Sequence, residues 1–212
     1  KDVVLMLEHA PVFTLGRRGG MDNLIVSPNL LAESNIQVVP VERGGDITYH
    51  GPGQIVVYPI LDLNRGRLGV VDLVFSLEAV MIATAQDFRV KAERNSKNRG
   101  VWVGNQKLGS IGIAVRKGIS YHGFALNVNP SLTHFAWIHP CGLPDIGMTS
   151  LEKELGAAPA MKLVRKAVKQ HMAKVFKFDL QRITESRLQT LLSPAEPITS
   201  HSAQRIGSSS NA

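Results

Sequence analysis

Residues 100–129, GVWVGNQKLGSIGIAVRKGISYHGFALNVN, restrict the possible folds more than any other stretch of the chain. Apolar residues alternate there with polar or small ones, and two turn dipeptides, Gly104-Asn105 and Lys117-Gly118, divide the run into short strands. Two-residue turns of this kind join antiparallel neighbours, so the stretch predicts consecutive hairpins in one sheet. Elsewhere the period changes. Val70, Leu73, Val74, Leu77 and Met81 recur at helical spacing within 70–88. Met161, Val164, Val168, Met172 and Val175 form the apolar stripe of a basic helix over 159–176. Ser27 followed by Pro28 opens a short helix. Thr149 with Glu152 has the form of a capping box, with Gly156 as the stop, and 186–192 reads as a last helix. Strands are expected at 3–7, 12–15 and 36–41. The near-continuous apolar run 54–63 predicts a strand buried on both faces, with Pro59 placing it at an edge or a bulge. Strands and helices mix without strict alternation. The expected class is α+β, a mixed β-sheet packed with helices on one face.

The chain has 212 residues, 44% of them apolar and 19% charged. That composition predicts one globular domain over 1–192, followed by a loose polar, serine-rich tail over 193–212. No apolar stretch is long enough to cross a bilayer, and no signal peptide is visible, so a cytoplasmic protein with no membrane association is expected. One cysteine admits no internal disulfide and no cysteine-based zinc site, and no metal is expected. A net charge of +7 implies an acidic partner. Without clustered aromatics or a recognisable binding motif, that partner is not expected to be a nucleic acid.

Four stretches could carry chemistry. AWIHPCGLPDIG, residues 136–147, places Cys141 in a loop punctuated by proline and glycine, where a thiol is more exposed than the buried cysteine of an ordinary core. RGGDITYHGPGQ, residues 43–54, carries four glycines that let backbone N–H groups approach a ligand. A tight turn between strands would explain GPG alone, and a lone His50 is more often structural than catalytic. GNQKLGSIGIAV, residues 104–115, sets Lys107 just after a turn, where most lysines are merely solvated. Ser110 and Gly112 then leave room against the sheet. SYHGFALNVN, residues 120–129, interrupts an apolar strand at Gly123, beside His122 and Phe124.

Together with EHAPVFTLG at residues 8–16, these stretches closely resemble the octanoyltransferases of lipoate biosynthesis, the lipoyl(octanoyl) transferase family, in matching blocks and in the family's order. The resemblance implies the catalytic-domain fold of biotin– and lipoate–protein ligases. It implies transfer of an octanoyl group from acyl carrier protein to a lysine of a lipoyl domain. The acceptors would be E2 subunits of 2-oxoacid dehydrogenases and the glycine-cleavage H protein. No cofactor is implied, neither ATP nor a metal. By position, Cys141 looks like the acyl-thioester nucleophile and Lys107 like the partner that lowers its pKa. Arg43, Gly44, Gly45, Asp46, Ile47, Thr48, Tyr49 and His50 look like substrate-binding residues, as do Ser110, Ile111, Gly112, Gly123, Phe124 and Ala125. In the connector AERNSKNRGVWV, residues 92–103, Asn98 and Arg99 stand where the family commonly has Ala-Pro. Two enzymes compete with this assignment: an ATP-dependent lipoate or octanoate ligase of the same fold, and a cysteine hydrolase with His139 or His50 as base.

The chemistry asks for such a pair. A free thiol ionises near pH 8.5, and the thiolate is what attacks. An ammonium about 4 Å away contributes at most ~4 kcal/mol at an effective dielectric near 20. After desolvation that leaves a pKa lowered by roughly one or two units.

Overall fold

A computed structural model describes residues 2–96, 98–139 and 147–192. The chain divides into two units, Lys1–Asp179 and Leu180–Ala212. In the first, strands β1 (Val3–Leu7) and β2 (Val12–Leu15) lead through helix α1 (Pro28–Ser34) to β3 (Gln37–Pro40), β4 (Ile47–His50) and β5 (Gln54–Ile60). Helices α2 (Leu63–Gly66) and α3 (Val70–Asp87) follow, then strands β6 (Glu93–Arg94), β7 (Val101–Val103), β8 (Gln106–Arg116) and β9 (Ile119–Asn127). A short β10 (Gly147–Met148) precedes α4 (Leu151–Leu155) and α5 (Met161–Phe176). In the second unit the described residues form α6 (Glu185–Leu192).

The α+β class expected from the sequence is the one observed. A seven-stranded sheet runs β1-β5-β9-β8-β7-β6, with β10 added to β8, and a three-stranded sheet runs β3-β2-β4. Both are mixed: β10 joins β8 in parallel and β3 joins β2 in parallel, while the other ladders are antiparallel. The hairpin between β8 and β9 turns at Lys117-Gly118, with φ of 52° and 79°. Two positive φ values make the tight turn whose twist matches the strands it joins.

Helix α3 lies on the large sheet against β7, β8 and β9, and α5 packs on α3. The stripe of α5 buries Val164, Ala167, Val168 and Met172, while its lysines remain outside. Gly109 of β8 marks the face under α3, since a Cβ there would lie 2.6 Å from Met81 Sδ. Gly112 marks the other face, where a Cβ would lie 2.8 Å from Arg43 Cδ. The small sheet has its own core of Phe13, Ile36, Ile47, Tyr49, Phe135, Ile138 and Met148.

Two local expectations need correction. Helix α4 is capped by Ser150, whose side chain accepts from Lys153 N. Thr149 lies outside the helix, its N–H given to Lys107 O and its carbonyl taken by Asn127 Nδ2, so the helix starts one residue later than the capping-box pattern suggests. Pro59 puts β5 neither at an edge, because β5 lies between β1 and β9, nor at a bulge, because the pairing with β9 keeps one register from Val57–Phe124 to Asp62–Ile119. The β5–β9 ladder instead stops at Val57–Phe124 and resumes at Leu61, which accepts from Ser120 N. Pro59 falls inside that interruption, where its missing N–H leaves no ladder partner unsatisfied.

Candidate active site

Most of the residues singled out from the sequence border one cleft, with about 610 Å³ of atom-free space when its open mouth is included. Arg43, Gly45, Asp46, Ile47, Thr48 and His50 form one wall. Lys107, Ser110, Ile111, Gly112, Gly123, Phe124 and Ala125 form the other, on β8 and β9. Gly44 and Tyr49 are not among the lining residues. Gly44 donates its N–H to Ile113 O and so ties the loop to β8. Tyr49 is buried in the core of the small sheet, stacked on His134 at 4.7 Å. Cys141 lies outside the described residues. Of the described residues that flank it in sequence, His139 donates its N–H to Asn23 O, and Gly147 pairs with Gln106, the neighbour of Lys107.

The cleft also takes in Thr14, Val41, Val56, Tyr58 and His122, which were not assigned to it from sequence. Two had a signal available: Thr14 sits within EHAPVFTLG and His122 beside Gly123. The other three are ordinary strand residues in pattern, and only the packing of the small sheet against the large one reveals them.

Lys107 reaches the cleft through a slip in the ladder. Val101 opposes Gly109, but Trp102 opposes Lys107, so β8 carries one extra residue. Without it, Lys107 would share the face of Gly109, under α3, because side chains alternate along a strand. The extra residue reverses the alternation and moves Lys107 to the face of Ser110 and Gly112. There the lysine is 2% exposed. Its Nζ donates to Asn98 Oδ1 at 2.8 Å and lies 5.2 Å from the centre of the Trp102 ring. A buried ammonium with a polar acceptor and an aromatic face is held in place rather than solvated.

Arg43 anchors the opposite wall. Its Nη2 donates to Thr14 O at 2.7 Å and to Thr14 Oγ1 at 2.9 Å, and its Nη1 donates to Gly44 O at 3.1 Å. Asp46 fixes the same loop, accepting from Asn23 Nδ2 at 2.7 Å and from Ile47 N at 2.6 Å.

His50 belongs to a buried chain of polar groups. Gln54 Nε2 donates to Tyr49 O and to Asn127 Oδ1, so Gln54 Oε1 accepts from His50 Nδ1 at 3.0 Å. Asn127 Nδ2 donates to Thr149 O, and Thr149 N donates to Lys107 O. That assignment leaves His50 Nε2 with the lone pair. Burial lowers the pKa of His50 to about 4, despite the opposing bond to Gln54. Burial also lowers His9 and His122. His9 in turn shares a 2.6 Å hydrogen bond with Tyr58. These histidines are neutral at pH 7, and His50 accepts hydrogen bonds but is a weak base. Among the described residues no group of three or more His, Cys, Asp or Glu side chains could hold a metal ion, and no helix is long and apolar enough to cross a membrane.

The cleft thus combines a buried lysine, a glycine-rich loop and walls that are largely apolar. The profile of the lipoyl protein ligase A/B catalytic domain matches residues 1–173, and the chain belongs to that family. The octanoyltransferase of Desulfotalea psychrophila is 52% identical over 158 residues, which cover 74% of this chain and 71% of that protein. The octanoyltransferase of Syntrophobacter fumaroxidans is 47% identical over 191 residues, covering 90% and 84%. Among solved structures, a bi-partite lipoate protein ligase from Thermoplasma acidophilum superposes with a TM-score of 0.70, covering 89% of this chain and 77% of that one. At 16% identity the second kind of likeness is one of fold.

Proposed function

We propose that this chain is an octanoyltransferase of lipoate biosynthesis, working through an acyl-cysteine intermediate. The observation that carries the reading is its identity with the two octanoyltransferases over most of their length. The cleft supports it, with Lys107 on one wall, Arg43 on the other, and apolar groups such as Val41, Ile47, Val56 and Phe124 around them.

In the first half-reaction the Cys141 thiolate attacks the thioester carbonyl of octanoyl-acyl carrier protein. The bond from carbonyl carbon to pantetheine sulfur breaks, and Lys107 gives a proton to the departing thiolate. In the second, the amine of the acceptor lysine attacks the octanoyl–cysteine carbonyl, Lys107 takes a proton from it, and Cys141 leaves as thiolate. Thioester to thioester is nearly level in free energy, and thioester to amide runs downhill, so no ATP is required. Each methylene of the acyl chain buried in the cleft adds ~0.8 kcal/mol, which reads chain length only softly. The acceptors are lipoyl domains of E2 subunits and the glycine-cleavage H protein. The Thermoplasma ligase was likewise described together with an E2 lipoyl domain. Acyl carrier and lipoyl domains are acidic as families, which suits a chain of net charge +7.

Intact-mass measurement after mixing with octanoyl-acyl carrier protein, without nucleotide, tests the proposal. The wild-type protein gains one octanoyl group, and Cys141→Ser gains none. Transfer that requires free octanoate and ATP would instead identify a ligase. An acyl-enzyme lost to water as fast as to the acceptor lysine would identify a hydrolase.

A further inference from the structure

We propose that Asn98 is a positioning residue for Lys107: its carboxamide, presented by a loop clamped to helix α3, sets the place of the ammonium in the cleft. The inference rests on the role given to Lys107 above.

The contact is direct. Lys107 Nζ donates to Asn98 Oδ1 at 2.8 Å. The Asn98 backbone is fixed from the same quarter, since its carbonyl accepts from Trp102 Nε1 at 3.2 Å while the ring of Trp102 faces the lysine. Arg94, Arg99 and Gly100, on either side of Asn98, meet Glu78, a carboxylate of α3 that is 1% exposed. Glu78 accepts from Gly100 N at 3.1 Å and from Arg94 Nε at 3.0 Å, and Arg99 lies 3.9 Å away. Arg99 also lies over the Phe75 ring at 4.6 Å. Gly100 completes the arrangement. Its φ is +119°, and a Cβ there would lie 2.4 Å from Gly109 O and 2.8 Å from Lys107 Cε. The loop therefore comes close enough to touch the stem of the lysine as well as its head.

This geometry has a consequence for the reaction. A lysine stem has four rotatable bonds, and an acceptor at its head narrows the positions the ammonium can take. A neutral amide acceptor restrains the head without cancelling its charge. A carboxylate at the same place would pair with the ammonium and weaken its field at a nearby sulfur. An asparagine at 98 thus suits a lysine that must act on a thiol, where an aspartate would not.

The test compares Asn98→Ala, the near-isosteric Asn98→Asp and Lys107→Ala with the wild-type protein. The rate of iodoacetamide modification of Cys141, the one cysteine of the chain, is followed against pH. Octanoyl transfer and Tm are measured alongside. Asn98→Ala should lower kcat about 10- to 100-fold with little change in KM, and raise the alkylation midpoint by roughly half a pH unit to one unit. Asn98→Asp should raise the midpoint at least as far, although it keeps an acceptor oxygen in place. A loss of activity that follows Tm with an unmoved midpoint overturns the inference. If Lys107→Ala moves the midpoint and neither Asn98 variant does, the role of Asn98 fails alone. If Lys107→Ala leaves it unmoved, the role of Lys107 fails first.

Discussion

Lowering the pH should destabilise this protein, and His50 is the group whose share can be isolated. His50 is buried in the wall of the cleft with its pKa lowered from 6.5 to about 4. The folded state therefore resists a proton that the unfolded chain accepts, and the sign follows from linkage. Above pH 6.5 neither state is protonated and the group has no effect. Between 6.5 and about 4 the unfolded state binds the extra proton, and stability falls as pH falls. At about 1.4 kcal/mol per pKa unit, the drop from this group is roughly 2 kcal/mol by pH 5 and about 3 kcal/mol by pH 4. His50→Gln removes the titration. Urea unfolding of both proteins at pH 7.5, 5 and 4 measures the difference in their stabilities at each pH. His9, His122 and His134 are also lowered by burial, but they are common to both proteins and largely cancel. The variant should lose about 3 kcal/mol less than the wild type between pH 7.5 and 4. Stability curves that run parallel, within about 0.5 kcal/mol, would refute a neutral buried His50 and the burial on which it rests.

Two further substitutions probe the frame of the site. Gly123→Ala would place a Cβ 2.0 Å from Val57 O and 2.7 Å from Pro59 Cδ, forcing β5 and β9 apart at the cleft. Overpacking of this kind costs about 1–3 kcal/mol, and a thermal melt should show Tm lower by roughly 3–10 °C. An unchanged Tm would mean the strands yield there without cost. Glu78→Leu leaves Gly100 N without its acceptor and releases Arg94 and Arg99, whose side chains are 41% and 54% exposed and can return to water. The expected loss is roughly 2–3 kcal/mol, near the low end for a broken buried pair. Octanoyl transfer should fall by more than the lost stability accounts for, measured as kcat at a temperature where both proteins are fully folded.

The architecture was legible wherever a residue pattern has a local cause. The hairpin of β8 and β9 follows from alternation ending at Lys117-Gly118, α3 from helical spacing, and α1 from Ser27 before Pro28. The stretches that border the cleft were legible for a different reason: glycines and small residues in strands carry a local cost, and that cost needs an explanation elsewhere. Three features left no such trace. The slip that turns Lys107 toward the cleft is set by how β7 meets β8, and no residue type announces it. The parallel pairing of β2 with β3 joins strands separated by a helix, and each strand alone reads the same in either sheet. Gln54 and Asn127 sit at the ends of their strands and read as ordinary boundary polar residues, and Thr149, just past β10, reads as a helix cap. Their connection into a buried chain appears once the strands are side by side, because an isolated polar group in that position would be expensive.

The interrupted ladder between β5 and β9 explains why the cleft lies where it does. Three residues that are poor in a sheet face one another across the interruption or stand beside it. Pro59 has no N–H to lose, Gly123 has no Cβ to collide with Val57 O, and His122 takes a left-handed φ of 56°. Each alone would weaken a strand. Together they open the pairing between Val57 and Leu61 and let it close again in the same register, with Asp62 opposite Ile119. Ser120 closes the gap, its hydroxyl donating to Pro59 O at 2.7 Å and accepting from Leu61 N at 3.1 Å. Tyr58, His122 and Gly123 all border the cleft. The site therefore occupies a place where the sheet gives up backbone pairing under control, and the proline, the glycine and the serine are best understood as one device.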